Sequence, residues 1–164
     1  MPVTLRFFGA VGTVTGSRFL LECDDEKILV DAGLFQGLRE LRDRNWDPFP
    51  VEVSKISAVV ITHAHLDHCG YLPRLIAQGF RGKIHMTHYT AKLAAVVLRD
   101  SASLQVEDAK YAKKKGFSKH KDPKPLYSLE DAERAIALFD THPYGQPINI
   151  SKHGTVTRSE EHTS

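Results

Sequence analysis

His63, His65, Asp67 and His68 stand in the pattern H-x-H-x-D-H, directly after the apolar run Ala58-Val59-Val60-Ile61. In an extended segment, residues two apart point the same way, so His63 and His65 can offer both imidazoles to one cation. Asp67 and His68 fall on the bend into the next element and can address an adjacent position. Imidazole and carboxylate suit Zn²⁺, although iron and manganese use similar ligands. Two such ions about 4 Å apart can activate water and clamp the attacking and leaving oxygens of a hydrolysis. The bland alternative is a chance cluster. At this chain's own His and Asp frequencies, the four fixed positions coincide about once in a thousand such chains, so the pattern is read as a metal site.

The elements around the motif explain how it is presented. The run from Ala58 to Ile61 has the continuous apolar character of a strand covered on both faces, which puts the histidines at its C-terminal end. Upstream, Val3 to Phe8 reads as a strand and Gly9 to Ser17 as a glycine-rich loop. Arg18 to Cys23 and Lys27 to Asp31 read as two strands joined at Asp24-Asp25. Leu34 to Pro50 is irregular and suits a surface excursion. Leu72, Leu75 and Ile76 have helical spacing that Gly79 can end, and Lys83 to Thr87 offers another strand. A long helix is expected from about Thr90, with Leu93, Val96, Val97 and Leu104 on its buried stripe, and a second over Ser128 to Asp140. Ile148 to Ile150 and Gly154 to Thr157 resemble a final strand pair. Asp31, at the end of Ile28-Leu29-Val30, is either a turn-forming aspartate or a carboxylate that accepts a hydrogen bond from a metal-bound histidine and fixes its tautomer.

The 164 residues, 41% of them hydrophobic, can bury one core. A net charge of +2 from 22 basic and 20 acidic residues says little about a polyanionic partner. Lys110, Lys113, Lys114, Lys115, Lys119, Lys121 and Lys124 gather around Gly116 and Phe117, but without an aromatic platform they read as a solvated helix end. No apolar run has the length of a signal peptide or a membrane span, so the expected compartment is the cytoplasm. Cys23 and Cys69 are then thiols. Cys69 reads as a small buried residue at a helix start and not a metal ligand, and His85 and His88 read as packing or surface residues.

Taken together, Gly12-Thr13-Val14-Thr15-Gly16-Ser17, Asp31-Ala32-Gly33-Leu34-Phe35-Gln36-Gly37 and Thr62-His63-Ala64-His65-Leu66-Asp67-His68-Cys69-Gly70-Tyr71-Leu72-Pro73 resemble the beta-CASP branch of the metallo-β-lactamase superfamily, most of all its prokaryotic ribonuclease-like members. The resemblance runs from about Val3 to Thr157. It implies the N-terminal part of an α/β, αββα sandwich and two Zn²⁺ ions. The implied activity is cleavage of phosphodiester bonds in RNA, with single-stranded DNA as a further substrate class, through a metal-activated hydroxide. Asp31 matches the family's first motif, and His63, His65, Asp67 and His68 match its second. Asp67 is the implied catalytic carboxylate as well as a ligand, and Gly16 and Ser17 lie in the loop near the implied substrate path.

The family's third-motif histidine in a Gly-His-x-x-Gly-Ser context and its fourth-motif aspartate do not occur here, and Lys152-His153-Gly154 lacks the required context. The chain is therefore expected to be truncated before the later metal motifs and to have little or no activity by itself. Residues 1–157 are expected to form the front of the domain. Residues 158–164, Arg158-Ser159-Glu160-Glu161-His162-Thr163-Ser164, are what the start of a common sequencing adapter would encode if read through in frame, and are expected to be a non-native tail. A thioester or lactam hydrolase sharing the same motif, and a non-catalytic RNA-processing scaffold, are the competing functions. The Phe35-Gln36-Gly37 text argues against the first and the intact second motif against the second.

Overall fold

The computed structural model describes residues 2–116 and 122–159. Strands β1 (Val3–Gly9), β2 (Arg18–Cys23) and β3 (Glu26–Val30) form an antiparallel meander. The β2–β3 turn is the expected Asp24-Asp25 pair, with Cys23 opposite Glu26 and Asp24 at a φ of 51°, which a short polar side chain tolerates. Strand β3 then pairs in parallel with β4 (Ala58–Val60), β4 with β5 (Lys83–Thr87), and β5 with β6 (Phe139–His142). The sheet thus has the order β1-β2-β3-β4-β5-β6, and β7 (Pro147–Asn149) with β8 (Thr155–Thr157) begins a separate two-stranded sheet.

Helices α1 (Arg39–Asp43), α2 (Leu66–Cys69), α3 (Leu72–Ala77), α4 (His88–Lys115) and α5 (Leu129–Ile136) complete the order. Thr87 caps α4 by accepting from the Thr90 amide, Gly116 ends it in the left-handed conformation, and Ser128 with Asp131 forms a reciprocal capping box on α5. Leu29, Val59 and Ile84 are fully buried, and they share one core cluster with Leu72, Leu75 and Leu98 of the helices. The α/β class is the expected one. Among the described residues, no helix is long and apolar enough to cross a membrane.

Four expectations are corrected or refined. Phe139 to Asp140 is not helical: α5 stops at Ile136, and Phe139–His142 is the edge strand β6. The sequence misled because Ala132, Ala135 and Phe139 continue a helical spacing, while pairing with β5 is a long-range event. On α4 the buried face is Ala94, Leu98, Ser101 and Ala102, and Leu93, Val96 and Leu104 are more than half exposed. Apart from Leu98, the residues on the buried face are small and let the neighbouring elements approach closely, while Leu93, Val96 and Leu104 point outward. The Leu34–Pro50 excursion is anchored, since the buried Asn45 side chain accepts from the Phe35 amide at 2.9 Å and donates to the Phe35 carbonyl at 2.8 Å. At the chain's end, Arg158 donates to the Ile61 carbonyl at 3.1 Å, and residues 160–164 lie outside the described residues, as do Phe117, Lys119 and Lys121.

Candidate metal centre

Three backbone segments are laced together beneath the H-x-H-x-D-H motif. The Ser17 amide donates to the Asp67 carbonyl (2.9 Å), the Ala32 amide to His68 (2.8 Å), the Leu34 amide to Leu66 (3.1 Å) and the Tyr71 amide to Ala32 (2.8 Å). Gly33 sits where a Cβ would fall 1.6 Å from the Asp67 carbonyl oxygen, so only glycine lets the strip after β3 lie against α2. Arg18 reinforces this floor. Its Nε donates to the Gly33 carbonyl at 2.9 Å and its guanidinium lies 3.9 Å from the Tyr71 ring centre, while burial pulls its pKa down to about 10.

Asp31 is the hub. It is 2% exposed and holds a φ of 61°, a left-handed conformation that aspartate tolerates better than most residues. Its Oδ1 accepts from the Thr62 amide at 2.8 Å, and the Thr62 hydroxyl reaches both carboxylate oxygens at 2.9 Å. Its Oδ2 accepts from the Ser17 hydroxyl at 3.2 Å and lies 2.8 Å from His68 Nδ1. The hydrogen bond with Asp31 raises the His68 pKa above its ordinary value, with burial opposing. It also leaves His68 Nε2 turned toward Asp67 Oδ2, 3.5 Å away.

Thr62 links the hub to the first histidine, since its Oγ1 lies 3.0 Å from His63 Nδ1. With the hydroxyl proton committed to Asp31, His63 Nδ1 donates to Thr62 and the lone pair of Nε2 is free. That Nε2 lies 3.1 Å from His65 Nδ1. Burial, with His68 and His65 adding to it and Asp31 and Asp67 opposing, lowers the His63 pKa, which favours the neutral ring. The His63 and His68 rings meet with centres 3.9 Å apart.

These donors fit divalent cations. With Zn–N bonds of about 2.0 to 2.1 Å, the ligand-to-ligand edge of a tetrahedron is about 3.3 Å. The His63–His65 and Asp67–His68 pairs, at 3.1 and 3.5 Å, bracket that edge. The structure therefore brings the four motif residues together as two pairs, with Asp31 against His68. Gly16 and Ser17 lie lower than expected: both are buried, Gly16 packs under the Phe35 ring, and the Ser17 hydroxyl is occupied by Asp31. Both contribute to the floor beneath the motif. Cys69 closes α2 instead of starting a helix, and burial pushes its thiol up to about 12.

Sequence reasoning missed Thr62 and Arg18. A hydroxyl residue just before His63 was a usable signal, whereas nothing local marks an arginine that packs on Tyr71. A cavity of about 910 Å³ opens beside α4, lined by Phe35, Trp46, Leu66, Ser101 and Gln105 among others, but none of the four motif residues lines it, so it does not mark the site of chemistry.

Residues 11–150 match the family model for the metallo-beta-lactamase superfamily. The chain is 37% identical over 143 residues to Ribonuclease TTHA0252 of Thermus thermophilus, covering 87% of this chain and 29% of that protein. It is 32% identical over 151 residues to the transcription termination factor FttA of Cenarchaeum symbiosum, covering 91% of this chain and 21% of that one. It is 36% identical over 101 residues to cleavage and polyadenylation specificity factor 73 of Drosophila melanogaster, covering 58% and 14%. The chain thus spans less than a third of the length of each of these relatives, which are beta-CASP members. On the strength of the family match across most of its residues, the chain belongs to the metallo-β-lactamase superfamily.

Proposed function

We propose that this chain supplies the front part of a metal-dependent nuclease that cleaves phosphodiester bonds in RNA, with single-stranded DNA as a second substrate class and two zinc ions as cofactors. The observation that carries this reading is the paired donor geometry, His63 Nε2 with His65 Nδ1 at 3.1 Å and Asp67 Oδ2 with His68 Nε2 at 3.5 Å. His63 and His65 would hold one ion, and Asp67 and His68 would hold the other. Bound divalent cations supply Lewis acidity and lower the pKa of coordinated water.

The chain's own residues prepare that chemistry. Thr62 keeps His63 in the tautomer with a free Nε2, Asp31 turns His68 Nε2 toward Asp67, and Asp67 is the catalytic carboxylate. The relatives named as a ribonuclease and as a cleavage factor favour a polynucleotide over a thioester or lactam. Residues 1–157 form the domain portion and 158–164 a non-native tail whose first residue, Arg158, hydrogen-bonds back to Ile61, and the cytoplasm is the proposed compartment. The 164-residue chain alone has little or no activity, since the motif gives each cation only two protein donors.

The test uses the complete reading frame. RNA degradation that requires a divalent cation, stops with chelator and is lost in the His63→Ala/His65→Ala variant is the expected result. Intact RNA with turnover of a thioester under the same conditions overturns the nuclease reading, and unchanged cation binding by that variant overturns the metal assignment.

A further inference from the structure

A second set of metal-binding side chains lies outside the motif. His85 on β5 is the register partner of Asp140 on β6, and Thr87 is the partner of His142. Asp140 and His142, two apart on one strand, share a face, and paired residues of neighbouring strands share theirs, so His85 joins them. Ile84 and Met86 point the other way, into the core cluster. His85 Nδ1 lies 3.0 Å from His142 Nε2 and 3.8 Å from Asp140 Oδ2, and His142 Nε2 lies 3.5 Å from Asp140 Oδ1. Among the described residues these three form a group whose ligand atoms all lie within 4.8 Å of one another.

We propose that His85, Asp140 and His142 form a second divalent-metal site, of zinc type, separate from His63, His65, Asp67 and His68. His85 Nδ1 and His142 Nε2 lie 3.0 Å apart, near the tetrahedral edge of about 3.3 Å set by zinc bond lengths, and the Asp140 carboxylate lies 3.5 Å from His142 through Oδ1 and 3.8 Å from His85 through Oδ2. Two imidazoles and one carboxylate are a ligand set that zinc accepts, with the fourth position left for water. Lys83 holds Asp140 Oδ2 at 3.0 Å, which orients the carboxylate while leaving Oδ1 toward His142. A cavity of about 20 Å³, the size of one water molecule, lies beside His85 and His142 and is lined by Ile148 and Val156 of the β7–β8 hairpin, while Asp140 does not line it.

The bound ion would pin β6 to β5, the one strand that β6 pairs with among the described residues. The alternative is a metal-free network in which one ring donates to the other at 3.0 Å and Asp140 accepts from His142. The two accounts differ in what zinc does. They also do not depend on the substrate, because the site uses none of the motif residues.

The experiment titrates Zn²⁺, and Co²⁺ as its coloured substitute, into the metal-stripped 164-residue chain. The triple variant His63→Ala/His65→Ala/His68→Ala is expected to retain one ion per chain with a Co²⁺ d–d absorption band. Adding His142→Gln should weaken that binding at least tenfold. Binding lost in the triple variant while it remains folded by circular dichroism, or unaltered by His142→Gln, overturns the proposal. Should the triple variant fail to fold, ¹⁵N-histidine spectra of the unsubstituted chain decide. Zinc should shift His85 Nδ1 and His142 Nε2 to metal-bound values, and unshifted resonances reject the site.

Discussion

The Asp31 carboxylate lies 2.8 Å from His68 Nδ1, joining the end of β3 to the last residue of the H-x-H-x-D-H motif, 37 positions further along the chain. The same carboxylate accepts from Thr62 and Ser17, so a single buried side chain sets the orientation of two imidazoles, His68 directly and His63 through Thr62.

Asp31→Ala removes the acceptor for the Thr62 amide and the Ser17 hydroxyl. Leaving such groups buried without a partner costs about 1 to 3 kcal/mol, and losing a residue that orients a metal ligand lowers affinity about 10- to 100-fold. Urea unfolding of the metal-free chain measures the first, and calorimetric zinc titration the second. Asp31→Asn should keep more of the stability than of the affinity, because the amide can still accept from Thr62 but carries no charge for His68.

Gly33→Ala places a methyl group 1.6 Å from the Asp67 carbonyl oxygen, backbone against backbone, where no side-chain rotation relieves the clash. The strip after β3 must then separate from α2. The expected cost is above about 4 kcal/mol, in the range reserved for disruption of a packed backbone contact, read as loss of cooperative unfolding. A Gly33→Ala chain that melts like the parent refutes this packing.

The metal-free chain should respond to pH through two histidines of opposite sign. His68 has a folded pKa raised above 6.5, first by its hydrogen bond to Asp31. Its contribution is fully present below 6.5 and is lost as pH rises through the raised value. His85 has a folded pKa lowered from 6.5, first by burial, so its contribution is present above 6.5 and is lost as pH falls toward the folded value. Urea midpoints between about pH 5 and 8 should show His68→Gln flattening the alkaline decline and His85→Gln flattening the acid decline.

Cys69 is fully buried, and its thiol is pushed up to about 12, mainly by burial. Thiolate is the reactive form. Iodoacetamide near pH 7.5 should therefore alkylate the half-buried Cys23 well before Cys69 in the folded chain, and both only after denaturation. Mass spectrometry of the peptides gives the order, and equal rates would show that α2 opens freely.

What the sequence by itself determined was local. The spacing of His63, His65, Asp67 and His68 after an apolar run was enough to place the H-x-H-x-D-H motif just beyond a strand's C-terminal end, because a continuous apolar run followed by a polar cluster marks where a covered strand stops. The Asp24-Asp25 turn was legible from its turn-forming residues between two strand-like runs, and the β5 run from Lys83 to Thr87 from its strand-like composition after a helix-ending glycine. Only the tertiary structure decided the rest. Asp31 meets Thr62 and His68 because β3 lies beside β4, and His85 meets His142 because β6 pairs with β5 across 57 residues of chain. The buried face of α4 was misread since Ala94 and Ala102 pack inward while Leu93 and Val96 do not, a choice set by how closely the neighbouring elements approach. Contacts between residues far apart in the chain depend on register and packing, which no periodicity within one segment encodes.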